Sequence, residues 1–291
     1  MSVFARGGAG VACAEEGLAE QKYASLMAQT PSPLQEQIFA IDIGATNIKF
    51  CHVNRDGELL RTVRRRPTPY PCAPERLVEF LVERVVKSGC ARVGVGFPGE
   101  FRDGRVVRPG NLSRPGGVNT EVDPDLEARW RGFELQATLR DATARDVRVV
   151  NDATMAALGC CGGRGVELVL TLGTGLGLAL CEDGALQKVR DVGAEIFVGD
   201  KTYDQMVGEK GRAAGDEVWN AAVRAVVERF VAEFGAGTVH LAGGNARRVS
   251  ASVFHDFAAR VIVDGNEAPM HGAARLFDDD VRTATAVLDA N

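Results

Sequence analysis

From Ile38 onward, apolar residues cluster in short β-branched runs at 38–43, 48–53 and 58–65, with Asn54-Arg-Asp-Gly57 as a hairpin turn between the second and third. A helical period then takes over: Leu77, Phe80, Leu81 and Val85 share one face of a predicted helix over 74–87, beyond the proline-rich crossing at 67–74. A strand at 92–96, a loop through Pro109-Gly-Asn111, a helix over 124–139, a strand at 147–150 and a helix over 152–159 follow. The pattern then restarts. Strands at 166–172 and 176–181 are joined by a glycine turn, and Glu182-Asp-Gly184 turns into a third. Helices over 202–214 and 216–234, a strand at 238–241, a helix over 246–259, a strand at 261–263 and a helix from about 268 complete the series. Three antiparallel strands followed by alternating helices and strands, given twice, predict a duplicated α/β domain with mixed sheets. The expected organisation is an N-terminal arm over 1–36, with a helical patch at 14–27, then lobes over 37–153 and 154–291. The last helix is expected to pack back on the first lobe.

The hydrophobic pattern is interrupted at two corresponding places. Asp42-Ile-Gly-Ala-Thr-Asn-Ile-Lys49 and Thr171-Leu-Gly-Thr-Gly-Leu-Gly177, about 130 residues apart, each take a strand through Gly and Thr into a returning strand. Such a hairpin aims backbone N–H groups and hydroxyls at an anion, and glycine lets the main chain approach closely. Two of them predict a phosphoryl group gripped from both sides.

Asn151-Asp152 lies between them, at the end of a strand and the start of a small-residue helix. The pair could simply cap that helix. Alternatively, Asp152 stands at the carboxyl edge of a sheet, where open α/β sheets bind ligands, and accepts the proton of an attacking alcohol. Asp42 could cap its turn, or hold Mg²⁺ beside the phosphates. Gly243-Gly-Asn245 ends a strand; it could be turn chemistry, or let a nucleoside approach the backbone and offer a helix N-terminus to phosphate.

Composition removes other classes. A net charge of −5 argues against broad phosphate neutralisation of nucleic acid, and Arg64-Arg65-Arg66 reads as a solvated strand end. Seven cysteines without a C-x-x-C favour a reducing compartment and exclude a zinc ribbon. No apolar stretch suits a membrane span or a leader, so a cytoplasmic protein is expected. Gly94-Val-Gly-Phe-Pro-Gly99 fits G-x-G-x-x-G, but Pro98 stands where a dinucleotide motif would open a helix.

These segments, in this order, resemble the ROK family of sugar kinases within the actin, chaperone and hexokinase superfamily. Its fold is the duplicated ribonuclease H-like type, two lobes about a cleft. Arg66-Pro-Thr-Pro69 with Pro74-Glu75 brings the likeness nearest to the polyphosphate glucokinase branch. The resemblance implies a phosphotransferase moving phosphate from ATP or polyphosphate to a hexose hydroxyl, with Mg²⁺. By that likeness Asp152 is the base, and Asn111, Asn151, Gly99 and Glu195 form the sugar side. Gly44, Ala45, Thr46, Asn47 and Lys49 hold the donor from one lobe; Thr171, Gly173, Thr174, Gly175, Gly243, Gly244 and Asn245 hold it from the other. Asp42 serves the metal, and the partner state implied is a homodimer.

Two departures bear on the acceptor and on metals. The family's glutamate continues through Gly-His, whereas Glu195 is followed by Ile196-Phe-Val-Gly199, and no histidine lies between His52 and His240. One sugar hydroxyl thereby loses a partner, at a cost of about 1–3 kcal/mol. A different polyol, such as a cyclitol, or a sugar sensor without turnover therefore stays open. The family's cysteine-rich zinc loop is missing too, so no structural zinc, and no zinc site, is expected. A repressor of this family would need an N-terminal helix-turn-helix domain, and the 36-residue prefix is too short for one.

Overall fold

The computed structural model describes residues 36–278 and Val281, so the arm and its expected helical patch lie outside the described residues. β1 (Ile38–Ile43), β2 (Asn47–Val53), β3 (Arg64–Pro67), β4 (Arg92–Phe97) and β7 (Asp146–Asn151) form one sheet in the order β3-β2-β1-β4-β7, beside a separate hairpin of β5 (Glu100–Arg102) and β6 (Arg105–Arg108). β8 (Val166–Leu172), β9 (Leu176–Glu182), β10 (Ala185–Gln187), β13 (Thr238–Ala242) and β14 (Arg260–Gly265) form the other in the order β10-β9-β8-β13-β14, with β11 (Ile196–Val198) and β12 (Lys201–Thr202) as a small hairpin. In each sheet the first three strands are antiparallel and the last two run parallel to the first. The duplicated mixed-sheet fold expected from the sequence is therefore present.

Strand alternation sorts the apolar residues into three cores. From β1, Phe39, Ile41 and Ile43 face an outer core with the Pro74–Ser88 and Leu135–Thr143 helices, while Ile38 and Ala40 face the interior between the sheets. From β8, Leu168, Leu170 and Leu172 face the opposite outer core under the Asp216–Phe234 helix, and Val169 faces the same interior. That interior layer is two helices, Asp152–Cys160 and Ala268–Arg275. They cross at backbone contact: a Cβ on Gly159 would lie 2.1 Å from the Ala268 carbonyl oxygen, and one on Gly272 would lie 1.8 Å from that of Met155. The helix carrying Asp152 is thus clamped between the sheets, and its N-terminus opens at their carboxyl edges.

Four local expectations fail. The third strand is Arg64–Pro67 rather than 58–65, because Asn54 Oδ1 accepts from the Glu58 N–H and the following chain makes only an isolated bridge, Val53 to Leu59. The helix over 124–139 breaks at Gly132, whose N–H bonds the Val106 carbonyl, leaving Pro124–Trp130 and Leu135–Thr143. The helix over 202–214 splits at Gly208 into Tyr203–Val207 and Glu209–Arg212. The helix over 246–259 is replaced by two 3-10 turns, Ala246–Arg248 and Ala251–Phe254. Val249 between them is extended, and Asn220 Oδ1 takes the Ser250 N–H, while Val249, Val253, Phe254 and Phe257 pack onto the Asp216–Phe234 helix. Burial there outweighs helix propensity.

Candidate active site

A cleft of about 1440 Å³ opens along the carboxyl edges of both sheets. Both glycine turns line it, with Asp152 between them, and every residue assigned to the donor or acceptor from sequence borders it except Asn245. The two turns are built alike. In the first, the carbonyls of Gly44, Ala45 and Thr46 accept from Thr68 Oγ1 (2.7 Å), Tyr70 OH (2.8 Å) and the Thr68 N–H (3.0 Å). In the second, those of Leu172, Gly173 and Thr174 accept from the Asn245 N–H (2.9 Å), Asn245 Nδ2 (3.0 Å) and the Glu209 N–H (3.2 Å). With these carbonyls engaged by the protein, each turn keeps fewer free acceptors to set against an anion.

β1 and β2 set Asp42 opposite Lys49, whose Nζ donates to Asp42 Oδ2 at 2.7 Å. Asp42 is 6% exposed, so this pair holds its charges close to the first turn. Asn151 resolves the ambiguity of the Asn-Asp pair. Its Oδ1 accepts from the Ala153 and Thr154 N–H groups, and its Nδ2 donates to the Gly99 carbonyl at 2.8 Å. Asn151 therefore caps the helix and fixes the Gly99 loop, which frees the Asp152 carboxylate from the capping role. Gly99 itself is required by close approach, since a Cβ there would lie 2.3 Å from the Arg108 carbonyl oxygen.

Among the described residues, Asp152 accepts only the short-range Ala153 N–H bond, at 2.8 Å. A little of its surface reaches solvent through the cleft, but protein atoms crowd it on every other side. That burial pushes its pKa up to about 7, and the negative charge of Asp42 adds to it, while the Ala153 N–H and Lys49 pull the other way. A carboxyl that titrates near neutrality is matched to proton transfer at cellular pH.

Ion pairs occupy the side expected to take the acceptor. The Glu195 carboxylate is half-exposed and takes both oxygens to Arg190 Nε, at 3.0 and 3.2 Å, while Arg190 Nη1 reaches Glu233 at 2.6 Å. Asn111 lies in the 3-10 turn Gly110–Ser113, and its carbonyl faces the Tyr70 hydroxyl at 3.4 Å. Across the cleft mouth, Arg108 of β6 stands 3.6 Å from Asp191. Asn245 is buried: besides bracing Gly173 it donates to Glu209 Oε2 at 2.9 Å, so its amide supports the turn from behind. The segment after it is a three-residue 3-10 turn, so the expected helix N-terminus for phosphate is absent there.

Asp204 escaped the sequence reading. Its Oδ1 accepts from the Leu176 N–H at 2.7 Å, and its carboxylate fills the space that Gly175 and Gly193 leave open. Burial raises its pKa. The signal available was the capping box Thr202-x-x-Gln205, which opens the helix carrying Asp204. Arg65 also lines the cleft, although the exposed strand Arg64–Pro67 carrying it had read as a solvated end.

Comparisons with known proteins agree with this architecture. The sequence pattern of the ROK family matches residues 38–196. The polyphosphate glucokinase of Mycobacterium tuberculosis is 25% identical over 214 residues, which cover 70% of this chain and 75% of that protein. The inorganic polyphosphate/ATP-glucomannokinase of Arthrobacter sp. strain KM superposes with a TM-score of 0.69 at 26% identity, covering 82% of this chain and 97% of that one. A ROK family glucokinase from Streptomyces griseus, solved with glucose and AMPPNP, gives a TM-score of 0.64 at 19% identity, covering 82% of this chain and 98% of that one.

Proposed function

The chain belongs to the ROK family, and from that premise we propose that it is a sugar kinase moving a phosphoryl group from ATP or polyphosphate to a hydroxyl of a hexose. One observation carries the reading: Asp152, whose carboxyl pKa burial pushes up to about 7, lies in one cleft with both glycine turns. In the reaction the acceptor hydroxyl lies against Asp152, which removes its proton as the oxygen attacks the terminal phosphorus, with the donor's remaining phosphate as leaving group. General-base help of this kind contributes roughly two to four orders of magnitude. The first and second turns position the phosphates, and the Asp42–Lys49 pair fixes charge beside them. Asp42 and Asp152 offer the oxygen ligands that a hard cation requires, and Asp42 Oδ1 is left free by Lys49. Mg²⁺ held there would neutralise phosphate charge.

Asn111, Gly99 and Glu195 border the acceptor end. A second reading, a carbocyclic polyol as acceptor, draws on Glu195 being engaged by Arg190 in a stretch without histidine. The test is a matrix of acceptors, with glucose, mannose and inositols each offered ATP or polyphosphate with Mg²⁺. Turnover of a hexose supports the main reading and turnover of inositols alone supports the second. No phosphorylation of any polyol would leave a binding protein of this fold.

A further inference from the structure

A second polar cluster lies away from the cleft. His240, on β13, is 3% exposed, with its ring between two carboxylates: Nδ1 is 2.8 Å from Asp264 Oδ2 and Nε2 is 3.1 Å from Glu167 Oε2. Cys160, the last residue of the helix that begins at Asp152, brings its thiol to the same place, and the ligand atoms of Cys160, His240 and Asp264 lie within 4.8 Å of one another. The cleft and its chemistry use none of these residues.

We propose that Cys160 Sγ, His240 Nδ1 and Asp264 Oδ2 bind one zinc ion, with water as the fourth ligand. Zinc takes sulfur, nitrogen and oxygen at about 2.0–2.3 Å, which sets tetrahedral ligand atoms about 3.3–3.8 Å apart. The observed spread reaches that with about an ångström of side-chain adjustment. A thiolate, an imidazole and a carboxylate together suit zinc better than magnesium or calcium, which prefer oxygen alone. Glu167 supplies the supporting contact. It is held by the N–H groups of Gly162, Gly163 and Arg164 at 2.9, 2.7 and 3.2 Å, and it accepts from His240 Nε2. A carboxylate on the far nitrogen orients the ring and leaves Nδ1 as the metal's lone pair. Binding displaces the thiol proton and any proton on Nδ1 to solvent, and no redox change is involved. The ion would tie the carboxyl end of the Asp152 helix to β13 and β14, about 12 Å from the general base along the helix axis.

The full, untagged chain is stripped with chelator, returned to zinc, passed through gel filtration and assayed for bound metal. One zinc per chain is expected. Cobalt(II) in its place is expected to show thiolate-to-metal charge-transfer absorption, and zinc is expected to protect Cys160 from alkylation in a peptide map. Because His240 is buried and its replacement endangers folding, the deciding variants are Cys160→Ala and Asp264→Asn, with native circular dichroism as the entry requirement. Each should weaken zinc binding about tenfold or more, and Cys160→Ala should abolish the cobalt band. Substoichiometric zinc in the wild-type chain, or undiminished binding by folded Cys160→Ala, overturns the proposal. So does a band that disappears in Cys161→Ala but persists in Cys160→Ala.

Discussion

Asp152→Asn separates chemistry from stability at one atom. The asparagine keeps the shape and retains an oxygen for the Ala153 N–H, so the helix start is unchanged. What is lost is a carboxylate that the fold holds under strain. Its pKa stands near 7 in the folded chain, against about 3.9 unfolded, so the native state binds this proton more tightly. The group's contribution to stability is therefore full below pH 4, declines as pH rises towards 7, and stays low above it. Three units at about 1.4 kcal/mol each set a ceiling near 4 kcal/mol; water reaching the cleft floor reduces the expectation to about 2 kcal/mol. Asp152→Asn should accordingly melt about 4–8 °C above wild type at pH 8, with the gap closing at pH 4. In a coupled assay at pH 8 the same variant should lose turnover by at least about a hundredfold while donor binding persists. A variant with wild-type turnover refutes the base assignment. A variant no more stable than wild type at pH 8 refutes the buried-charge argument, whatever its activity.

The same titration predicts that kcat/KM of the wild-type enzyme is maximal above pH 7 and falls about tenfold per unit below it, because the base must be ionised to act; a profile flat down to pH 5 contradicts this. Asp204→Ala removes the acceptor of the Leu176 N–H and should raise donor KM about tenfold, the kinetic equivalent of ~1.4 kcal/mol, with acceptor KM little changed in initial-rate measurements. Arg190→Gln releases Glu195 from its two-oxygen hold and should raise acceptor KM several-fold with donor KM unchanged; equal shifts in both would detach Glu195 from the acceptor. Gly159→Ala drives a methyl into the Ala268 carbonyl at the helix crossing and should cost about 1–3 kcal/mol by urea denaturation, with no loss if the helices can part freely.

How much of this was legible depends on where each signal resides. The β1–β2 and β8–β9 hairpins were readable because strand runs end at Gly-Thr turns, and both chemistry and chain direction change there. Asn151-Asp152 was legible only as a pair with two readings, and that Asn151 is the helix cap needed the observed bonds. The 246–259 segment misled because its local pattern favours a helix, while packing of Val253, Phe254 and Phe257 onto a distant helix decides its shape. Asp204 was unreadable for a related reason. Its importance lies in a contact across 28 residues, to an N–H group that carries no side-chain signature.

The bracing of the two glycine turns divides the enzyme into parts with unequal tolerance for change. On the proposed reading, the phosphate end is made of peptide groups whose carbonyls are held by Thr68, Tyr70, Asn245 and the Glu209 N–H. On that reading, side chains lining the donor end can be exchanged while the grip persists, whereas a change at Thr68, Tyr70 or Asn245 would loosen it. The proposed acceptor end has the opposite construction, with Glu195, Arg190 and Asp191 lining the cleft through half-exposed, ion-paired side chains. On that reading, selectivity can drift there by single substitutions without disturbing the transfer machinery, which would make this cleft a ready starting point for redirecting a kinase to new alcohols.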